Sequence, residues 1–325
     1  MKKYINPRLL GFTGLILITS FFLGCKEDMG ITKNKIGQKP GPVSNPKVQS
    51  ISGGAYIKYD LPLSEDLRYV IAKYKLDNGI ERESKSSIYN NEILVDGFGA
   101  AGEYTVELRA AAVGEVESDP ITVTITALRP PYLLVLDKLK EGKNIEATFG
   151  GINLTYFNET KADIIIRVLK KDTNGTWEGI HTEYTDLETD KVRIRGLDAG
   201  PTDFGIYIED RWDHFSDTLM VNLSPFEEIE IDKKDWKRFP LDNDAGSRGG
   251  QWDFTKIWDG NKNVGNLTKP SPLPVSIVAI DLGKPVLLSR LLSFPNNSSG
   301  GLYGLAHIYD FAVYGSNNPG SSGDW

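Results

Sequence analysis

The sequence predicts an all-β protein built from consecutive antiparallel sandwiches, and three observations predict it. Apolar residues recur with period two in short runs, as in strands buried on one face; Ala55, Ile57 and Tyr59 alternate with Tyr56, Lys58 and Asp60. Hairpin chemistry closes the runs, at Asp77-Asn78-Gly79 and again at Asn174-Gly175, where glycine supplies the positive φ of tight turns. About seven such runs fall between residues 43 and 128, the count of one sandwich, and the same grammar then repeats.

Residues 1–24 read as an export signal. Lys2, Lys3 and Arg8 form a basic start, and residues 9–23 form an apolar stretch of 15 residues. That suits a signal core and falls short of the roughly 20 residues that span a bilayer. The stretch ends in Phe22-Leu23-Gly24-Cys25, which resembles the lipobox of bacterial lipoproteins. That resemblance implies acylation of Cys25 and cleavage just before it. An ordinary signal peptide ahead of a buried or free thiol is the alternative. Cys25 is the only cysteine, so no disulfide forms within the chain. Several acyl chains would anchor firmly where one would not, at roughly 0.8 kcal/mol per buried CH₂.

Lys26-Glu27-Asp28 follows. It resembles the acid-rich signal that sends lipoproteins to the outer face in some Gram-negative, polysaccharide-degrading bacteria, and it reads equally as the start of a soluble linker. Residues 25–42, with Pro40, Gly41 and Pro42, form a semi-stiff tether. Removing the signal takes away three positive charges and moves the formal net charge from −7 to −10. So acidic a chain repels nucleic acid and anionic lipid.

Residues 43–129 form the first module. Tyr69, Ile71 and Lys73 alternate with Val70, Ala72 and Tyr74, and further strands are expected at 93–95, 104–110 and 121–125. Tyr104 follows a glycine-rich turn and opens the penultimate strand. Fibronectin type III domains place their tyrosine corner there, and the stretch resembles one of them. Pro130-Pro131 marks an extended joint. Residues 130–224 then form a second, Ig-like sandwich, with strands expected at 133–136, 145–149, 164–169, 181–184, 192–194, 204–208 and 218–223. Phe204, Ile206 and Ile208 stand where Tyr104, Val106 and Leu108 stand in the first.

Residues 225–325 carry three motifs in order: Ile257-Trp258-Asp259-Gly260-Asn261, Ala279-Ile280-Asp281-Leu282-Gly283 and Phe311-Ala312-Val313-Tyr314-Gly315-Ser316-Asn317. They resemble the turn, strand and "F-x-V-Y-G-S-N" run of the discoidin-like (coagulation factor 5/8 type C) jelly roll. That fold continues past the position of Tyr314, so the third module is expected to be incomplete at its C-terminus. The whole arrangement resembles a family of Bacteroidetes-type surface lipoproteins encoded among polysaccharide-utilisation genes. It implies non-enzymatic capture of a polysaccharide or oligosaccharide at the outer membrane, beside a glycan transporter complex. A structural or adhesive role, with modules that contact other proteins, is the alternative.

Enzyme motifs fail on inspection. Gly97-Phe98-Gly99-Ala100-Ala101-Gly102 fits G-x-G-x-x-G, but a dinucleotide site needs a helix to start there. Alternating Tyr104-Thr105-Val106-Glu107-Leu108-Arg109 reads as strand instead. There is no G-x-S-x-G elbow, and His181, His214 and His307 lack ligand spacing. No catalytic residue and no required cofactor are expected.

Recognition is expected from loops rich in Gly, Ser and Asn that offer an aromatic face and hydrogen-bonding groups. Arg248, Trp252 and Asp253 lie on one such loop; Asn296, Asn297 and Tyr303 lie on another that leads to His307. Packing of Trp252 or Tyr303 into core or rim is the alternative. The discoidin resemblance also implies a structural calcium ion at Asp259 and Asn261, held by hard oxygen ligands; a metal-free Asp-Gly-Asn turn accounts for the same residues.

Overall fold

The computed structural model describes residues 37–242, 244, 246–265, 268–269, 278–294 and 310–322. The chain divides into two compact units, the first ending at Pro131 and the second beginning at Tyr132. The described fold is all-β, with one α-helix among the described residues.

The first unit contains β1 (Ser44–Ile51), β2 (Gly54–Asp60), β3 (Leu67–Lys75), β4 (Glu81–Ser87), β5 (Glu92–Asp96), β6 (Gly102–Ala112), β7 (Val116–Glu117) and β8 (Ile121–Ala127). Two antiparallel sheets result, β1-β2-β5 and β4-β3-β6-β7, with β8 also paired to β6. Alternation sends Ile57, Val70, Ala72, Val95, Val106 and Leu108 into one buried cluster between the sheets. Each large aliphatic there contributes about 2 kcal/mol through burial. Tyr104 behaves as its position predicts. Its ring stacks on Phe98 at 4.0 Å, and its hydroxyl donates to Ala100 O, four residues upstream, at 3.0 Å. The glycines of the G-x-G-x-x-G stretch turn the chain directly into β6, a strand.

Helix α1 (Pro131–Lys140) starts on the last residue of the first unit and leads into the second, which continues with β9 (Ile145–Thr148), β10 (Gly151–Phe157), β11 (Ile164–Lys171), β12 (Trp177–Thr185), β13 (Thr189–Arg195), β14 (Thr202–Asp210) and β15 (Leu219–Leu223). Its sheets are β13-β10-β9 and β12-β11-β14-β15, around a core that includes Leu154, Tyr156, Ile166, Phe204 and Ile206.

Helix α1 corrects the strand expected at 133–136. Tyr132, Val135, Leu136 and Leu139 are buried at helical spacing, a period that the continuous apolar run at 133–136 conceals. Pro131 starts the helix where a missing N–H costs nothing. Asn144 closes it by donating to the Lys138 carbonyl at 2.6 Å. Pro131 is therefore a helix start and not part of an extended joint.

A second correction concerns the match between modules. In the first, Ser118 Oγ accepts from Ala110 N and donates to Asp119 O; in the second, Ser216 Oγ accepts from Ile208 N and donates to Asp217 O. This shared clamp aligns Ala110 with Ile208, and hence Val106 with Phe204 and Tyr104 with Thr202. The expected register was displaced by two residues, one full pleat, so the same face still points inward. The second sandwich accordingly has no tyrosine at the corner position.

Beyond β15 the described structure is sparser. β16 (Lys237–Arg238) pairs antiparallel with β17 (Ile280–Asp281), and Phe254–Ile257 forms a 3₁₀ turn. Trp258 meets Phe254 and Trp236 edge-on, at 5.6 and 6.1 Å. The motif at 311–317 is described and exposed, and it forms no strand. Among the described residues no helix is long and apolar enough to cross a membrane.

Candidate functional site

The first recognition loop folds as a tight turn. Gly249 and Gly250 adopt φ of 79° and 58°, backbone that glycine reaches at no steric cost. Trp252 N then donates to Gly249 O at 3.1 Å, and Ser247 Oγ donates to Trp252 O at 2.7 Å. Arg248 is exposed on this turn, whereas Trp252 and Asp253 are half-buried. The Asp253 carboxylate is engaged locally. It caps the 3₁₀ turn by accepting from Thr255 N at 3.0 Å and from Thr255 Oγ1 at 2.9 Å, and these bonds hold it below the ordinary carboxylate range. The structure brings Arg248 and Trp252 onto one turn and gives Asp253 a capping role. Asn296, Asn297, Tyr303, His307 and Cys25 lie outside the described residues.

The Asp259-Gly260-Asn261 turn is held by its own side chain. Asp259 Oδ1 accepts from Asn261 N at 2.9 Å, and Oδ2 meets Lys256 Nζ at 3.1 Å. The Asn261 backbone bond, with Lys256 as a lesser cause, keeps the carboxylate below its usual range. Calcium takes six to eight oxygen ligands. Among the described residues no three of the types His, Cys, Asp and Glu cluster as a metal group, and Lys256 already neutralises Asp259. The described residues fit a self-closed Asx turn better than a calcium cage.

The feature that sequence reading missed is the outer face of the β12-β11-β14-β15 sheet. Ile164, Ile166 and Val168 point into the core, so Ile165, Arg167, Leu169 and Lys171 point out. Pairing places Tyr184 beside Ile165, Thr182 beside Arg167 and Trp177 beside Lys171. From the other side Glu209 pairs with Ile165 and Tyr207 with Arg167. Tyr184 is 69% exposed and Trp177 is 36% exposed.

Between these rings Arg167 donates to Glu209 Oε2 from Nε and Nη2, each at 3.0 Å, and to Thr182 Oγ1 at 3.3 Å. The Glu209 bond keeps the guanidinium above its already high ordinary value. The Arg167 guanidinium also lies 5.9 Å from the centre of the Tyr184 ring, a cation–π arrangement. Tyr207 and Phe215 extend the aromatic surface, with ring centres 6.3 Å apart. Beside Tyr184 opens a shallow cleft of about 370 Å³ that is also lined by Asp163, Ile165, Asp186 and Arg211. Chemically the face offers flat apolar rings flanking a fixed donor–acceptor pair. The available signal was Tyr184 and Trp177 within a strand-like run, but period-two counting puts residues seven apart on opposite faces.

Residues 40–127 match the family model described as Domain of unknown function (DUF4959), and residues 128–234 match Domain of unknown function (DUF5126). No curated protein matches the chain. Among solved structures, the chain is similar to a SusE-like protein at 27% identity over 42% of this chain, with a TM-score of 0.29; it spans 47% of that protein's length. It is also similar to a two-domain fibronectin type III segment of chicken tenascin, at 15% identity over 56% of this chain and 99% of that one, with a TM-score of 0.26. The chicken interferon gamma receptor alpha chain aligns at 11% identity over 57% of this chain and 98% of that one, with a TM-score of 0.24. The border between the two matched family models, at residues 127 and 128, falls at the end of β8.

Proposed function

We propose that this protein is a non-enzymatic lipoprotein of the outer cell surface that binds polysaccharide for a utilisation system. Cys25 carries the lipid anchor, the tether and sandwiches extend from the membrane, and a neighbouring outer-membrane transporter receives the glycan. The observation that carries this reading is the exposed aromatic face around Tyr184, with Arg167, Glu209 and Thr182 set between its rings. Sugars stack their apolar faces on aromatic rings and hydrogen-bond their hydroxyls, so alternating rings and polar groups suit them. The loop of Arg248 and Trp252 supplies a second contact in a discoidin-like third module, to which Asn296, Asn297, Tyr303 and His307 are proposed to contribute. Several weak sites on one membrane-held chain bind through effective concentration.

A second reading, adhesion to another protein, draws on Leu287, Leu288, Leu291, Leu292 and Phe294, all exposed in the third region. Exposed apolar side chains of this kind, where they join into one patch, mark protein contacts. Affinity electrophoresis of the mature protein against a polysaccharide panel, with and without EDTA, separates the two. Retardation by one polysaccharide class supports glycan capture, and loss of retardation in EDTA adds calcium. A folded protein that no polysaccharide retards favours adhesion.

A further inference from the structure

We infer that the outer face of the second sandwich is a binding site for an extended, uncharged polysaccharide chain laid along β12, with Tyr184 and Trp177 as its two stacking ends. The inference rests on the glycan-binding reading and deepens it by naming the place and the class of chain. Four observations carry it.

The first is a β-bulge. Val168 pairs with His181 but Leu169 pairs with Gly179, so Ile180 is an extra residue in β12. A bulge shifts the side-chain alternation by one. Tyr184 and Trp177 are seven residues apart and would otherwise point to opposite faces; with the bulge both pair with outward residues of β11, Ile165 and Lys171. The extra residue costs ladder regularity, and its effect is to put the two rings on one side.

The second is space. Gly205 lies opposite Leu169 in β14. A Cβ there would lie 3.0 Å from Thr218 Cγ2 and at an ordinary contact distance of 3.5 Å from Cζ3 of Trp177, so the indole reaches across the sheet as far as β14 and lies flat on its outer face.

The third is size. The six ladder steps from Lys171 to Ile165 span about 20 Å, and three strand spacings add about 14 Å of width. The resulting patch of about 300 Å² falls well below the roughly 800 Å² per partner of a stable protein interface. A patch of this extent, with its two stacking rings on edge strand β12, fits a short stretch of a linear chain.

The fourth is charge. Arg167 is paired with Glu209, and Arg211 with Asp163 at 3.2 Å. The guanidinium groups are already matched by carboxylates, and the outward Lys171 ammonium lies 5.8 Å from the centre of the Trp177 ring. Hydroxyls, which both donate and accept, complement that pairing; a uronate would meet acidic neighbours on a chain whose net charge is −7.

The test uses the full mature chain in affinity gels containing barley β-glucan, galactomannan, amylopectin or, as the acidic probe, polygalacturonate. Tyr184→Ala and Trp177→Ala change exposed side chains, and matching thermal melts establish that the variants fold. On the neutral polysaccharide that retards the wild type, each variant is expected to bind about tenfold more weakly, as loss of an aromatic anchor does. The double variant loses retardation, and Tyr69→Ala in the first sandwich binds as wild type does. Affinity for oligosaccharides cut from that polysaccharide rises with length until one chain bridges both rings, then levels off.

Wild-type retardation retained by a folded double variant overturns the site, leaves glycan binding in place and frees this face for a protein contact. Retardation by polygalacturonate alone overturns the uncharged class. No retardation of the wild type by any probe removes the glycan reading and this inference with it.

Discussion

The larger sheets of the two sandwiches, five-stranded in the first and four-stranded in the second, are wired alike through their central strands and present opposite chemistry to solvent. In the first, the outer face of β4-β3-β6-β7 is covered by charge. Lys73 reaches Glu117 at 2.7 Å and Glu83 at 3.9 Å, Arg109 reaches Glu107 at 3.1 Å, and the Lys85 ammonium lies over Tyr69 at 4.8 Å. Even Ile71, which pairs with Lys85 and Arg109 on that face, is buried, as long charged side chains lay their stems over apolar surface. In the second, the equivalent face leaves Tyr184, Phe215 and Met220 exposed and confines its central charges to one ion pair. Folding constrains the inward half of each strand, because that half carries the burial energy. The outward half is free to diverge, and there the two modules differ.

The inward sameness extends to single residues and produces the largest expected effect. Each sandwich begins its second strand with two glycines, Gly53-Gly54 and Gly150-Gly151. Gly53 and Gly150 adopt φ of 67° and 59°. A Cβ on Gly54 would collide with Val95 O, and one on Gly151 with Ile194 O, both backbone atoms of the paired strand. Gly54→Ala and Gly151→Ala are each expected to cost more than about 3 kcal/mol, read as a fall in the denaturation midpoint. If either alanine variant melts like the wild type, the shared strand closure is not a constraint and the comparison of cores fails.

A smaller effect is expected on the charged face. Lys73→Ala removes a half-buried ion pair with Glu117 and should cost about 1 kcal/mol, with polysaccharide retardation unchanged. Loss of retardation in that variant would mean that the two faces do not divide their roles as their chemistry suggests.

The smallest effect is confined to alkaline pH. Burial, followed by the hydrogen bond to Glu115 and its charge, pushes the Tyr69 phenol up to about 12. The folded state therefore favours the neutral phenol. The associated stabilisation is complete below the ordinary value of 10.0 and is lost as pH rises through about 12. Phenolate absorbance, taken as the difference between wild type and Tyr69→Phe, should show this high midpoint, and Glu115→Gln should lower it. A Tyr69 midpoint at the ordinary value would show that the contact with Glu115 does not form in solution.

Much of the fold was legible in the residues. The strands around Ile57, Val70, Leu108, Ile166 and Ile206 followed from alternation, and Asn78-Gly79 and Asn174-Gly175 followed from turn chemistry. Helix α1 was not legible, because four consecutive apolar residues match either period and only burial of Tyr132, Val135, Leu136 and Leu139 separates them. The candidate site was less legible. Asp253 has the chemistry of a sugar ligand, yet its geometry makes it a helix cap, since Thr255 lies within reach of the same oxygen.

The sequence by itself determined the class of the protein, because period-two burial and glycine turns are local and can be counted along the chain. Only the tertiary structure decided which side chains share a face. One unpaired residue, Ile180, reverses the parity of everything on one side of it in β12, and a bulge of this kind exists only where a strand meets its partner. Trp177 and Tyr184 stand on one surface for that reason.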